Sequence, residues 1–446
     1  MVDELTPAPE WFGYYGHVAW DDLFDWWRGS AERSEASEAS MLPANPTPPP
    51  ANWTPTPPSK REQADDWRDW LRDYFRLVTN MLNAASDVDA VLERLVSWMP
   101  GETSEGSRPQ NAWAQADDLD DDGADEWLIG VPEPDRRCAI PWCPGYVVLF
   151  EKQDALFTPV HLVQDDRGSY QLSHPVSFRI ADINADGQTE VVVRAHGCGA
   201  HTCHTTLVIG RWDGERWHDL TADVVEQATS EVKLDDRDGD GIQEIAMHGG
   251  IVNSAGAGLQ REYTLVFGWR DGAYRQIERN ADPDDHPYYR VLDANAALAD
   301  GDLEKPLALA MEVVSLNGCR GPEAIGGSEH VYHYAWPRIV AYASIEAMLI
   351  HAQRGDAEAM EDVYFNLAAR SLEAPNNPYP DAAWRLLETY RETSDPLRAC
   401  QAMEAFVAER AADAPFFGTY GYATERITAD QLCPLDEPPE TPGPEL

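Results

Sequence analysis

The chain is poor in lysine and in basic side chains generally. Only four lysines occur among 446 residues, and 34 basic side chains stand against 78 acidic ones, for a formal net charge of −44. Because this charge repels phosphates, the composition argues against nucleic acid or an anionic membrane surface as a partner. An acidic excess of this kind is typical of a divalent-cation binder, of a salt-adapted protein, or of a protein kept soluble by its charge.

Long apolar runs are also missing. No segment approaches the ~18 apolar residues of a membrane helix, so we expect no membrane span. The opening segment, MVDELTPAPEWFGYYG, has neither the basic nor the apolar region of a signal peptide. We therefore expect no signal peptide in this chain, and a mature form that has lost one fits the sequence equally well.

Cysteines are few, and their number is odd. Of the seven, Cys138 and Cys143 bracket four residues, as do Cys198 and Cys203. Such short spacings predict hairpin disulfides, which persist in oxidising compartments, so we expect an extracellular or cell-surface protein. The pairing of the other three stays open, and one cysteine must be free or pair outside the chain: Cys319, Cys400, Cys433.

One acidic nonapeptide occurs three times. It reads DLDDDGADE in loop 1 (118–126), DINADGQTE in loop 2 (182–190) and DRDGDGIQE in loop 3 (236–244), which fits D-x-[D/N]-x-D-G-x-x-E. Side-chain oxygens at positions 1, 3, 5 and 9, a carbonyl at position 7 and glycine at position 6 suit a hard cation such as Ca²⁺. The alternative is a metal-free turn of Asp and Gly, in which the converging carboxylates would repel one another.

A second landmark repeats with nearly the same period. Asp213-Gly214 and Asp271-Gly272 predict tight hairpin turns, and Asp154-Ala155 stands at the equivalent place. The turns lie 59 and 58 residues apart and the acidic loops 64 and 54. A β-rich run follows each loop, so every loop is predicted to join two strands. A module of about 60 residues with four short strands matches one propeller blade.

These loops resemble the FG-GAP, or VCBS, repeats of integrin α-type propellers, over about 170 of the 446 residues. The resemblance implies twelve calcium ligands: Asp118, Asp120, Asp122, Glu126, Asp182, Asn184, Asp186, Glu190, Asp236, Asp238, Asp240 and Glu244. EF-hands and dockerins are poorer matches, because position 12 is Ile129, Val193 or Met247 here. A closed propeller needs at least ~4 blades, and three are visible. Either a degenerate blade lies outside the repeats or the modules form an open array covered by helices, and we predict a partial or irregular propeller.

The C-terminal third shows helical patterns with a shared turn. Asp302, Asp356 and Asp395 are each predicted to cap a helix N-terminus, with Pro396 at a first helical position. The pattern resembles tetratricopeptide-like hairpin repeats, although its intervals of 54 and 39 residues depart from a strict period. The resemblance implies a surface that binds proteins. A purely structural helical domain is the alternative.

The segment HGCGAHTCH contains His196, Cys198, His201, Cys203 and His204. It is either a transition-metal site or a disulfide-closed hairpin with polar histidines, and we favour the disulfide. No H-E-x-x-H, G-x-S-x-G or P-loop motif occurs. The sequence therefore identifies no catalytic residue, and Ca²⁺ is the cofactor expected.

The predicted fold class is multidomain α and β. Its parts are an aromatic-rich segment with a Pro-rich tether (1–60), a helical hairpin (61–100), FG-GAP-like four-stranded β-modules (101–284) and a tetratricopeptide-like helical domain (285–446). We predict a calcium-binding interaction or scaffold protein with an unidentified protein partner. The alternatives are a surface component that self-associates through its N-terminal segment, and an extracellular hydrolase with accessory β-modules.

Overall fold

The structure is a computed structural model. It describes residues 64–85, 87–97, 112–132, 144–153, 156–163, 172–173, 175–198, 202–299, 302–315, 329–370, 377–410, 421–425, 427, 431, 433 and 435. The predicted tether, Cys138, Cys143 and Cys319 lie outside these residues. The described chain falls into two compact units. Unit 1 lies within residues 1–250 and takes in Tyr263–Asn280, and unit 2 contains Ile251–Glu262 and the chain from Ala281 onward.

Unit 1 begins with the predicted helical hairpin, formed by α1 (Ala64–Ala84) and α2 (Val88–Ser97). Tyr74 and Val78, on the apolar face of α1, are buried in one cluster with Phe150 of the first sheet. The Tyr74 hydroxyl also donates to the Pro132 carbonyl, at 2.5 Å. Burial of each large apolar side chain stabilises by about 1.5–3 kcal/mol, so packing on the sheet holds this hairpin.

Three antiparallel sheets of four or five strands follow, and no described pairing closes any of them into a barrel. The first contains β1 (Trp113–Asp117), β2 (Glu126–Pro132), β3 (Pro144–Gln153), β4 (Leu156–Leu162) and β5 (Leu172–Ser173). The second contains β6 (Val176–Ala181), β7 (Glu190–Cys198), β8 (Cys203–Trp212), β9 (Trp217–Asp219) and β10 (Glu226–Ala228). The third contains β11 (Glu231–Asp235), β12 (Glu244–Gly249), β13 (Tyr263–Arg270) and β14 (Ala273–Ala281). Each acidic loop joins the first two strands of its sheet, as predicted.

The second sheet buries both of its faces. Successive side chains of a strand point to opposite faces, so Val191 of β7 packs in a cluster with Leu149 of the first sheet. Its neighbour Val192 lies instead in a cluster with Ile245 of the third sheet. Burial on both faces explains why the sequence of β7 is a continuous apolar run. The two clusters also place the second sheet between the first and the third.

The predicted Asp-Gly turns differ from one another. Asp271 and Gly272 have φ of 53° and 79° and form the two-residue turn predicted between β13 and β14. The turn from β8 to β9 is longer and takes in residues 213–216. Within it, the Asp213 carboxylate accepts the N–H groups of Glu215 and Arg216 at 2.9 and 2.7 Å. The third position, 154–155, lies outside the described residues.

The described part of unit 2 is mainly helical. Its helices are α3 (Pro287–Ala299), α4 (Lys305–Ser315), α5 (Glu329–Gln353), α6 (Ala357–Ala368), α7 (Tyr379–Thr393) and α8 (Pro396–Arg410). Residues 339–350 of α5 are buried on every side, as in the central helix of a bundle. No helix in the described ranges has an apolar stretch long enough to cross a bilayer.

Two of the three predicted aspartate caps of unit 2 form. Asp302 is not the N-cap of α4, which begins at Lys305: its carboxylate accepts the N–H of Glu304 at 2.8 Å, and the Glu304 carbonyl accepts the first helical N–H, from Ala308 at 3.1 Å. Asp356 accepts the N–H of Ala359 at 3.1 Å at the start of α6. Asp395 accepts from Leu397 and Arg398 at 3.1 and 3.2 Å, and Pro396 is the first residue of α8. Each cap satisfies N–H groups that have no partner inside the helix.

Candidate metal centres

The three acidic loops share one network of backbone hydrogen bonds. In each, the N–H of position 2 donates to the position 9 carboxylate, and the N–H groups of positions 5, 6 and 7 donate to the side chains of positions 3, 1 and 5. In that order the distances are 2.9, 3.1, 3.1 and 2.8 Å in loop 1. They are 2.9, 2.9, 3.0 and 2.9 Å in loop 2. In loop 3 they are 2.9, 3.2, 3.0 and 2.8 Å. The network draws all four side chains of the motif towards the inside of the loop.

Two left-handed residues in each loop make this curl possible. Position 6 has φ of 89°, 87° and 94° at Gly123, Gly187 and Gly241, as the motif predicts. Position 4 is also left-handed, with φ of 60° at Asp121 and 59° at Ala185. That conformation costs about 1–2 kcal/mol for a residue with a side chain, and the motif does not predict it.

Loop 1 brings three aspartate carboxylates close together, and one of their oxygens has no hydrogen-bond donor among the described residues. Asp118, Asp120 and Asp122 bring carboxylate oxygens within 4.8 Å of one another. The Asp118 Oδ1 atom is buried and accepts no hydrogen bond from the described residues. Burial raises the pKa of Asp120, and repulsion from the other two carboxylates adds to the rise. Burial also raises the pKa of Glu126 to about 7, although the Leu119 N–H opposes it.

Loop 3 has the same arrangement in a more exposed setting. Asp236, Asp238 and Glu244 bring carboxylate oxygens within 4.8 Å of one another. Glu244 is buried at 4% exposure, whereas both aspartates are exposed. Asp240 accepts the Ile242 N–H at 2.8 Å, which holds its carboxylate in the loop.

Loop 2 differs because its position 3 is an amide. The Asn184 Nδ2 atom donates to Asp186 Oδ2 and to Glu190 Oε1, both at 3.2 Å. The Arg211 guanidinium lies 3.2 Å from the same Asp186 oxygen. Burial raises the pKa of Glu190 to about 7, and the Asp186 and Asp182 carboxylates add to the rise. Loop 2 therefore carries three carboxylates rather than four, and they are partly bridged from within.

The donor set fits a hard cation. All twelve predicted ligands lie in the three loops and offer only oxygen side chains, which is the chemistry of Ca²⁺ and Mg²⁺ rather than of Zn²⁺. The buried Asp118 Oδ1 atom, which accepts no hydrogen bond from the part of the chain that the structure describes, is an acceptor that a bound cation would satisfy. With Ca²⁺ bound, the motif side chains would hold the ion and its charge would offset their repulsion.

Contacts that the sequence analysis missed link the loops to neighbouring modules. The Gln243 N–H in loop 3 donates to the Ile183 carbonyl in loop 2 at 2.8 Å. The Tyr274 hydroxyl donates to the carbonyls of Ile183 and Gln243, at 3.1 and 3.2 Å. Tyr274 lies three residues after Asp271 of the Asp-Gly turn, and its contact with Ile183 spans 91 residues, so no local pattern in the sequence predicted it.

The segment HGCGAHTCH contains a disulfide, as favoured from the spacing. Cys198 and Cys203 are joined with an S–S distance of 2.02 Å, and they are directly opposite residues of β7 and β8. His204 Nδ1 lies 3.2 Å from Glu226 on β10, and His201 lies outside the described residues. A second disulfide joins Cys400 and Cys433 in unit 2, a pairing that the sequence left open.

The loops, their hydrogen bonds and the cysteine pairs are described from this chain without a related protein for comparison. Comparison with protein-family models and with curated proteins finds no match.

Proposed function

We propose that this chain is an extracellular or cell-surface calcium-binding interaction protein. Its three acidic loops bind one Ca²⁺ each and stabilise stacked β-modules of the FG-GAP type, while the helical unit offers a tetratricopeptide-like surface to a protein partner. One observation carries the calcium proposal. Three loops of different sequence form the same four hydrogen bonds, and in loop 1 these leave a buried carboxylate oxygen without a donor.

Calcium bound to the folded state alone would shift the unfolding equilibrium towards that state. A site whose dissociation constant is ~10-fold below the ambient calcium concentration stabilises the folded state by about 1.4 kcal/mol. Three such sites would contribute about 4 kcal/mol, a large share of the ~5–15 kcal/mol typical of a domain. Weak sites with dissociation constants of order 10⁻⁴–10⁻³ M suit extracellular calcium concentrations.

The ion's effect would extend beyond its own loop. Because Gln243 and Tyr274 bind the backbone of loop 2 to loop 3, ordering either loop supports the stacking of the second and third sheets. At loop 1, a Cβ built on Gly214 of the next module would lie 2.6 Å from Asp120 Oδ2. These contacts between the acidic loops and neighbouring modules support a structural role for the cation.

Exposed aromatic side chains of unit 2 support the proposed protein-binding surface. Phe365 on α6 and Trp384 on α7 are 55% and 41% exposed, and the Tyr364 ring lies 5.6 and 5.4 Å from their rings. Exposed aromatic groups of this kind are typical of protein-binding surfaces. The two disulfides support an oxidising compartment.

Thermal unfolding with and without calcium tests the calcium proposal. We expect the unfolding midpoint of the full chain to rise by about 8–16 °C from chelator to saturating Ca²⁺, taking about 4 kcal/mol at 2–4 °C per kcal/mol. The control is a variant with Asp118→Asn, Asp182→Asn and Asp236→Asn, which should lose most of the calcium response. Equal midpoints in calcium and chelator would contradict the proposal.

Capture from a cell-surface protein fraction tests the interaction half. The matched pair is Phe365→Ser with Trp384→Ser against Leu156→Ser, another exposed apolar residue, 55% exposed but in unit 1. Loss of the same captured protein with the aromatic variant alone would support the surface. Equal capture by both variants would exclude it.

A further inference from the structure

The half-buried end of the β7–β8 hairpin brings together three groups of soft or borderline metal-ligand type. His196 and Cys198 are two residues apart on β7, and Cys203 pairs directly with Cys198 across the hairpin, so all three lie on one face. Their ligand atoms lie within 4.8 Å of one another. His196 Nε2 is 3.7 Å from Cys198 Sγ.

A neighbouring hydroxyl orients the imidazole. His196 Nδ1 is 3.0 Å from Thr205 Oγ1, and the Thr205 hydroxyl donates to the Ser230 carbonyl at 3.5 Å. With its proton directed at Ser230, Thr205 accepts from Nδ1–H, and the lone pair of Nε2 then faces the sulfur. Metal-binding histidines are oriented in this way, with one ring nitrogen hydrogen-bonded and the other directed at the metal.

The distances suit a tetrahedral ion once the sulfurs are separated. Zn–S and Zn–N bonds of about 2.3 and 2.05 Å place a sulfur and a nitrogen ligand ~3.6 Å apart on the edge of a tetrahedron. The observed separation of His196 Nε2 and Cys198 Sγ is 3.7 Å.

We propose that reduction of the Cys198–Cys203 disulfide opens a metal site in which the two sulfurs and His196 Nε2 bind Zn²⁺ or a similar thiophilic ion. The hairpin would then be a redox-gated site, closed to metal as the disulfide and open as the dithiol. These three ligands fill three of the four positions of a tetrahedral zinc site, and a water in the fourth would give the arrangement of an open zinc site.

The chemistry balances with a dithiol as the reductant. Two electrons and two protons pass from the dithiol to the protein disulfide, so one S–S bond breaks in the protein and one forms in the reductant. Both cysteines then hold thiols. Binding of one divalent ion forms two metal–sulfur bonds and one metal–nitrogen bond, and it releases the two thiol protons to solvent.

Cobalt titration of the full chain tests the site. Co²⁺ is added to oxidised and to phosphine-reduced protein, with Ca²⁺ present to occupy the acidic loops, and the thiolate-to-cobalt absorption band is recorded. We expect a band in the reduced protein that saturates with one added equivalent, that Zn²⁺ displaces, and that is absent from the oxidised protein. The same band should be missing from the variant with Cys198→Ser and Cys203→Ser, which corrects for the other thiols.

Single substitutions separate a built site from a chance pair of thiols. Thr205→Val removes the hydroxyl that orients His196 and should weaken Co²⁺ binding by about 10–100-fold. His196→Ala removes a ligand and should weaken Co²⁺ binding by more. The matched control is His204→Ala, on the opposite face of the same hairpin, which should leave the titration unchanged. Both histidine variants keep the disulfide, so the melt of the oxidised protein checks their folding.

Two results would overturn the proposal. One is a reduced protein whose cobalt band equals that of the double serine variant. The other is equal affinity in His196→Ala and His204→Ala, which would show adventitious binding by the thiols alone.

Discussion

Exchanging Asn184 for aspartate in loop 2 tests the calcium account at a single atom. Asn184 takes the position that Asp120 and Asp238 occupy in the other loops. Its amide donates to Asp186 and Glu190 at 3.2 Å each, so loop 2 is partly neutralised without an ion. Asn184→Asp removes these two hydrogen bonds and adds a fourth carboxylate.

The expected cost without calcium follows from these contacts. Each lost hydrogen bond is worth about 1 kcal/mol, and a carboxylate about 4 Å from another adds up to ~4 kcal/mol of repulsion at an effective dielectric constant of about 20. Protonation of Glu190, whose pKa is already raised to about 7, relieves part of the repulsion. We expect a net loss of about 3 kcal/mol in chelator, or about 6–12 °C in the unfolding midpoint.

Calcium should remove this loss, because the added carboxylate then faces a divalent cation. Differential scanning calorimetry of wild type and Asn184→Asp, each in chelator and in saturating Ca²⁺, measures both effects. We expect the variant to be less stable in chelator and nearly equal or more stable in calcium. The matched reverse exchange, Asp238→Asn in loop 3, should stabilise the chelated protein and reduce its response to calcium.

The outcome that refutes this reasoning is a variant whose loss of stability is the same in chelator and in calcium. That result would mean that position 3 of the loop faces no cation. A variant that is as stable as wild type in chelator would show that the Asn184 hydrogen bonds contribute nothing.

Three further predictions concern other titratable and capping groups. In chelator, Glu126 and Glu190 have pKa values raised from 4.5 to about 7, so their contribution to stability is complete below pH 4.5 and is lost as the pH rises through 7. Denaturant titrations in chelator should show this loss of stability, up to ~3 kcal/mol for each residue before solvent screening. Saturating calcium should abolish the loss. Stability that rises with pH in chelator would contradict the prediction. Glu346 on α5 is buried at 2% exposure, neither of its carboxylate oxygens has a hydrogen bond among the described residues, and burial raises its pKa well above 4.5. Glu346→Leu should stabilise unit 2 by about 1–3 kcal/mol at neutral pH. Urea unfolding measures this gain, with Glu346→Gln as the isosteric control. A destabilised leucine variant would contradict the prediction and reveal a partner of the carboxylate. Asp356→Ala removes the cap of α6 and should cost about 1 kcal/mol, whereas Glu358→Ala, two residues on, should cost less; equal losses would mean that the cap contributes nothing.

Local features of the fold were predictable from the sequence. The φ of Gly123, the caps at Asp356 and Asp395, and the hairpin disulfide at Cys198 all depend on residues within a few positions along the chain. The helical hairpin was readable for the same reason, because its apolar face repeats at helical spacing. The structure agrees with each of these expectations.

Features that depend on distant residues were not predictable. The pairing of Cys400 with Cys433 could not follow from a cysteine count, which allows several connectivities. The contact of Tyr274 with Ile183 spans 91 residues. Residues 251–262 separate β12 from β13 yet belong to unit 2, although the strands themselves are neighbours in unit 1. Only tertiary packing decides such features.

Each acidic loop is proposed to bind one calcium ion. Equilibrium dialysis of the full chain against Ca²⁺ at concentrations above the expected dissociation constants, on the order of 10⁻³ M, counts the bound ions directly. We expect three Ca²⁺ per chain, reduced to none in the variant with asparagine at positions 118, 182 and 236. A chain that binds no calcium, or binds the same number in that variant, would contradict the proposal.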